Sequence, residues 1–303
     1  MTFKNLALSA WLALVAVCGS APLAAADESW RIEPDARIEV QTVSAQTTTR
    51  DEDLVIDGEA ITLRGQVGVA LNSESTRFRL EADRIEVFRL GDGRRDISRD
   101  RLSATVQHDV TSTLEIQLQA RRFDDLVSVE SADTDEWQGS ARVTFEPSRA
   151  NRFRLQGTWR DRQYDNGAAP ATTGEGPRVD AQYRRRFGPY HYLAFDLRSE
   201  SIRSDDPDRG YERDSAAVTY THPVARDLRV RPAVELIKTR FDGRIADTGA
   251  LRRDRQVVPE VELLWWPGKW RVEAEAKYVF FNSNEATRER EGYRLTLSVG
   301  YAF

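Results

Sequence analysis

Cysteine is almost missing from the 303 residues, with Cys18 the one thiol. It lies in an N-terminal segment that reads as a cleavable secretory leader: Lys4 ahead, an apolar run from Leu6 to Val17, then Ala24-Ala25-Ala26 as a small-residue cleavage site. Val17 is branched where a lipoprotein signal wants a small residue, which argues against lipid attachment at Cys18. Cleavage after Ala26 leaves residues 27–303 without a thiol, which excludes disulfides and cysteine-metal chemistry. Histidine is also scarce, at three: His108, His191 and His222. Each stands beside a short turn, and no His-x-Ser, Gly-x-Ser-x-Gly, phosphate-binding loop or HExxH stretch occurs. Catalysis, a cofactor and a metal are therefore not expected. Neither sign of charge dominates, with 44 Lys and Arg against 49 Asp and Glu, so composition gives no reason to expect nucleic-acid binding. Beyond the leader no apolar run is long enough for a spanning helix.

What the chain has instead is strict alternation. Gly292 to Phe303 reads GYRLTLSVGYAF. Tyr293, Leu295, Leu297, Val299, Tyr301 and Phe303 share one face of an extended chain; Arg294, Thr296, Ser298, Gly300 and Ala302 share the other. Its length suits a tilted strand crossing a bilayer, and aromatics flank its apolar face where membrane interfaces favour them. This segment resembles the closing strand of a bacterial outer-membrane β-barrel. The resemblance implies that Tyr301 and the terminal Phe303 are read by the barrel-assembly machinery. It also implies an outer-membrane location among lipid and lipopolysaccharide.

Working along the chain, residues 27–59 read as an N-terminal extension with a possible first strand, Arg37 to Gln46 and then polar loop from Thr47. Residues 60–303 read as the barrel. Ile61 to Leu71 alternates; Phe78, Leu80 and Ala82 share a face, and the phase slips near Asp83-Arg84 as a β-bulge would make it. A small periplasmic β-domain over Ile61 to Leu90 is the alternative there. Beyond Leu102, tight turns such as Gly188-Pro189 and Pro267-Gly268 take turns with long polar loops, among them Asp124 to Glu136, Tyr164 to Pro177 and Ser201 to Asp214. Outer-membrane barrels sort their connections in this way, short ones periplasmic and long ones external. The expected architecture is an all-β, transmembrane, antiparallel up-and-down barrel of about fourteen strands, with twelve possible. Two aromatic girdles are expected: Phe145, Phe187, Tyr220, Trp265, Trp270 and Tyr301 near the turns, and Trp137, Trp159, Phe241, Phe280 and Tyr293 near the loops.

If the apolar face meets lipid, the other face lines a lumen. The middle strands then turn Arg142, Arg154, Arg160, Arg162, Arg184, Arg186 and Arg198 inward. Later strands turn Glu235, Glu260, Glu262, Glu273 and Glu275 inward, with Lys277 among them. Asp180 is placed to pair with Arg198, and Arg178 with Glu200. Two outcomes stay open: opposed walls setting a transverse field across a water-filled pore, or long side chains meeting to fill the bore with salt bridges. The chain is most similar to a small monomeric porin, a resemblance that implies passive diffusion of small hydrophilic solutes. It departs from the trimeric porins, whose long constriction loop carries an acidic Pro-Glu signature that no segment here matches. A polymer or surface-protein export barrel is the competing reading. The barrel hydrolases and proteases put their histidines at membrane depth or at the external mouth, not at the turns.

Overall fold

The computed structural model describes residues 30–50, 55–90, 96–126, 133–165 and 170–303. The expected leader lies outside these. Fourteen strands form one closed antiparallel ring: β1 (Arg31–Arg50), β2 (Val55–Asn72), β3 (Thr76–Leu90), β4 (Ile97–Thr111), β5 (Leu114–Asp124), β6 (Thr134–Ser148), β7 (Asn151–Tyr164), β8 (Thr173–Gly188), β9 (His191–Ser204), β10 (Tyr211–Ala225), β11 (Leu228–Ile245), β12 (Leu251–Trp265), β13 (Trp270–Ser283) and β14 (Arg290–Ala302). Each strand pairs with its neighbours in sequence, and β1 closes the ring on β14 with Ile38 opposite Tyr301 and Val40 opposite Val299. Among the described residues no helix is long and apolar enough to cross a membrane. The crossing elements are strands, joined side by side into a closed ring, the form in which a sheet can cross a bilayer.

Alternation decides which way each strand faces. On β14, Leu295 and Leu297 are each 49% exposed while Arg294 and Ser298 are 4% and 3% exposed. In an ordinary globular domain those numbers would be reversed. Leu155, Leu197, Leu236 and Leu118 show the same outward placement on other strands. Trp137 and Trp159 mark one end of this apolar band, and Phe187, Trp265 and Trp270 the other, all exposed. A charge at the centre of that band should be costly. Leu297→Arg is expected to weaken folding into bilayers by roughly 2–4 kcal/mol, read from a urea titration in lipid vesicles; an unchanged midpoint would mean that this face does not meet lipid.

The strands overshoot the band on the side of the long loops. Beyond Leu236 the outward positions of β11 are Lys238 and Arg240, which pair in register with Asp214 and Glu212 of β10. The overshoot corrects three sequence expectations. The stretch from Thr47 is strand as far as Arg50, paired with β2 through Thr49 opposite Ile56. No bulge interrupts β3 at Asp83-Arg84, since its register with β2 and β4 is unbroken. The chain has simply left the apolar band there, so Arg84 and Glu86 face outward and Ile85 and Val87 face inward, 3% and 1% exposed. Phe241, expected in the external girdle, points inward for the same reason and packs on Ile202 and Tyr211. Both β2 and β3 belong to the wall, which removes the separate domain over Ile61 to Leu90 and the count of twelve.

Candidate functional site: the lumen

The inner face divides into two zones along the barrel axis. Towards the long-loop end it is packed. Tyr164, Ile202, Tyr211, Phe123 and Glu136 are at most 2% exposed. A polar chain threads this layer. Arg162 donates to Glu136 and to the Tyr211 hydroxyl at 3.3 Å; that hydroxyl donates to Glu200 at 3.2 Å, and Arg160 Nη1 reaches Glu200 at 3.2 Å. These contacts span β6 to β10, so they cross a chord of the ring. Further round, Ile237, Val258 and Val279 form an apolar cluster with Phe281, and Val43, Ala45, Ala60, Ile85 and Val87 form another. Asp83, itself 1% exposed, is held by Arg64 at 2.7 Å and Arg99 at 3.4 Å. We call this layer the collar; its side chains occupy the long-loop half of the bore.

Towards the short turns the inner face is charged and more open. On β6–β8, Arg142 donates to Gln117. Arg184 lies over the Tyr192 ring at 5.2 Å, and Arg186, opposite Tyr192 in register, is exposed. Arg154 stands between Thr144 and Gln182 in register. On β11–β13, Lys277 Nζ lies 3.2 Å from both Glu260 and Glu275, Glu262 pairs with Arg231, and Glu273 accepts from Trp266 Nε1 at 3.0 Å. Carboxylate oxygens of Glu260, Glu262 and Glu275 lie within 4.8 Å of one another, with Lys277 and Arg231 as counter-charges. Glu235 faces inward opposite Ala217 and Val258. Between β3 and β5 the inner wall encloses a polar cavity of about 310 Å³ lined by Arg77, Arg79, Arg101, Gln107, Gln117 and Gln119, among others.

Every arginine and glutamate singled out in the sequence therefore faces the lumen, but they do not act as one set. Arg160, Arg162 and Arg198 belong to matched pairs, Arg198 with Asp180 at 2.6 Å as expected. Arg178 sits opposite Glu200 in register and donates to Asp180 at 3.0 Å. Arg142, Arg154, Arg184 and Arg186 form a separate group. The ring places β6 seven strands from β13, so Arg142 and the Glu273–Glu275 wall are opposed. The hydrogen-bond partner of Arg142, however, is Gln117 on the neighbouring strand. Glu136 and Tyr211 are the residues that sequence reasoning missed as lumen groups. Both fall in stretches that read as polar loop, Asp124 to Glu136 and Ser201 to Asp214, yet parity with Gln138 and Arg213 turns both inward.

Outside the membrane, Asp133 stands in the acidic connection between β5 and β6. Burial, then the charges of Asp125 and Asp165, a hydrogen bond with Asp125 and the charge of Asp135 push its carboxyl up to about 6. The folded state thus holds this proton more tightly than the unfolded chain. The cost of charging Asp133 is absent below the ordinary carboxylate range and complete above about pH 6. Acidification through that window should tighten these loops, and Asp133→Asn should remove the dependence. Protease resistance of the loops followed against pH checks this.

The His191 and His222 rings meet at 5.2 Å beside Tyr220, on the turn-side rim. His108 lies 2.9 Å from the Thr76 hydroxyl at the same end.

The ring is similar to several solved outer-membrane proteins. One is the loop L8 deletion mutant of OmpT, an outer membrane protein of Vibrio cholerae, with 9% identity, a TM-score of 0.57, and coverage of 91% of this chain and 100% of that one. Another is a bacterial polysaccharide outer membrane secretin, at 12% identity and TM-score 0.53, covering 89% and 98%. A third is the outer membrane channel DcaP of Acinetobacter baumannii, at 9% and 0.52, covering 90% and 97%. No protein-family model and no curated protein sequence matches the chain. At these identities the likeness establishes the fold, that of a bacterial outer-membrane β-barrel.

Proposed function

We propose that the chain is an outer-membrane channel through which small hydrophilic solutes diffuse, with the collar as its constriction. One observation carries the reading: inner-wall arginines and glutamates face an enclosed bore while the alternate residues of the same strands form a continuous apolar band. A wall so charged is useful only if water and solutes reach it. Arg142, Arg154, Arg184 and Arg186 against Glu260, Glu262, Glu273 and Glu275 set a field across the bore that sorts solutes by charge and dipole. The barrel is read as a monomer in outer-membrane lipid and lipopolysaccharide. It is assembled through Tyr301 and Phe303, whose ring centroids lie 4.9 Å apart, with Tyr301 5.1 Å from Trp270. No catalytic step enters this reading.

The test is single-channel recording of the refolded protein in a planar bilayer. Discrete conductance is expected, with ion selectivity shifted towards cations when Arg142, Arg154 and Arg184 are changed to Ser. Unchanged selectivity would remove the arginine assignment, and no conductance, even after the collar is loosened, would remove the channel. The unmatched arginines also favour a second reading, export of an acidic polymer. That reading requires long anionic chains to block the current and short ones to pass.

A further inference from the structure

We infer that β6–β8 carry an oxyanion site on the turn-side half of the lumen, taking a solute with two or more carboxylate or phosphate groups. The inference deepens the channel reading by naming its solute class.

Register sets Arg152 of β7 directly opposite Arg184 of β8, two like charges on one face of a sheet. Such a pair is unfavourable unless something negative lies between. Arg154 adds a third guanidinium. Its electrostatic neighbours are Arg152, Arg142 and Arg184, with Glu115 as the nearby acid. The acids of this zone are already engaged. Glu146 lies 3.1 Å from Arg152, Glu115 accepts from Gln107 at 2.9 Å, and Asp196 accepts from Gln182 at 2.6 Å. The Nε atoms of Arg142 and Arg154 are shielded from solvent with no hydrogen-bond acceptor in place. Arg160, Arg162 and Arg198, by contrast, each lie against a carboxylate, that of Glu200, Glu136 and Asp180 in turn.

Guanidinium groups are forks that bind carboxylate and phosphate through paired N–H bonds. Neighbouring strands lie about 4.8 Å apart, and alternate residues of one strand about 7 Å. That spacing suits several anionic groups on one molecule better than a single monovalent ion. The glutamates of β12 and β13, across the ring, repel the same solute and press it against the arginine wall. Gln156 and Gln182, which flank the patch in register, add amides able to meet hydroxyls on the solute.

The test uses calorimetric titration of the detergent-solubilised barrel with two probes, citrate and inorganic pyrophosphate, and acetate as the monovalent control. Binding of at least one multivalent probe is expected, with affinity falling steeply as salt rises and with acetate at least tenfold weaker. Arg154→Ser with Arg184→Ser should lower affinity by about tenfold or more, since each removes a charge-assisted bond. Arg185→Ser, on the outward face of the same strand, should leave it unchanged. Arg154→Lys keeps the charge but not the fork; it should weaken binding severalfold and guards against a folding failure in the double variant. Preference for citrate or pyrophosphate tells a carboxylate solute from a phosphate one. No binding, or equal affinity in the arginine variants, overturns the site. Because titration needs no current, a barrel that binds without conducting keeps the site and loses the channel, and one that conducts without binding does the opposite.

Discussion

Glu136→Ala is expected to cost about 3–5 kcal/mol of stability, because it strips the carboxylate from a buried guanidinium. Glu136 is 1% exposed, and Arg162, which donates to it, is 5% exposed. The loss would not stay local. Arg162 also steadies the Tyr211 hydroxyl, and Tyr211 donates to Glu200, which holds Arg160. With that chain loosened the collar should widen, so the same variant is expected to raise single-channel conductance severalfold while lowering the urea midpoint. Glu136→Gln keeps the shape and one acceptor and should fall between. Wild-type stability and current in Glu136→Ala would mean that the collar neither holds the fold nor restricts the bore.

Gly176→Val should be the most damaging substitution of a small residue. A Cβ at Gly176 would collide with the Ser201 carbonyl oxygen, a backbone atom of the neighbouring strand. That oxygen also accepts from Arg160 at 3.3 Å, so β8 and β9 have approached each other where the collar is tied. Relief requires moving one strand, and the expected loss is on the order of 3 kcal/mol or more. Gly157→Val is the matched control, since a Cβ there meets nothing within 4 Å and points to lipid. Heat-modifiable mobility on gels separates the two: unfolded for Gly176→Val, folded for Gly157→Val. Equal behaviour would mean that the close approach is not a constraint.

The wall was legible in the sequence wherever both faces carried their own chemistry. Residues Leu295, Leu297 and Val299 against Thr296 and Ser298 leave one reading, because a period of two with lipid on one side fixes orientation. The signal failed where strands rise above the apolar band. There the outward positions become Asp161, Glu212 or Lys238, and the inward ones become Tyr164, Tyr211 or Ile237. Such stretches look like charged loop or like a strand shifted by one residue, which is why β3 suggested a bulge and Phe241 a girdle. The lumen arginines were legible by parity alone. Which of them are matched was not, since Arg160 finds Glu200 two strands away and Arg162 finds Tyr211 three strands away. Contacts of that range depend on ring curvature, which no local pattern records.

The account rests on residues of one strand facing opposite solvents, and cysteine labelling measures that directly. Residues 27–303 contain no cysteine, so single substitutions at Arg154 and Leu155 report without background. In lipid vesicles a charged maleimide should label Arg154→Cys quickly and Leu155→Cys hardly at all, with a lipid-soluble quencher reaching only the latter. The reverse pattern, or equal labelling of both, would contradict a charged lumen inside an apolar shell.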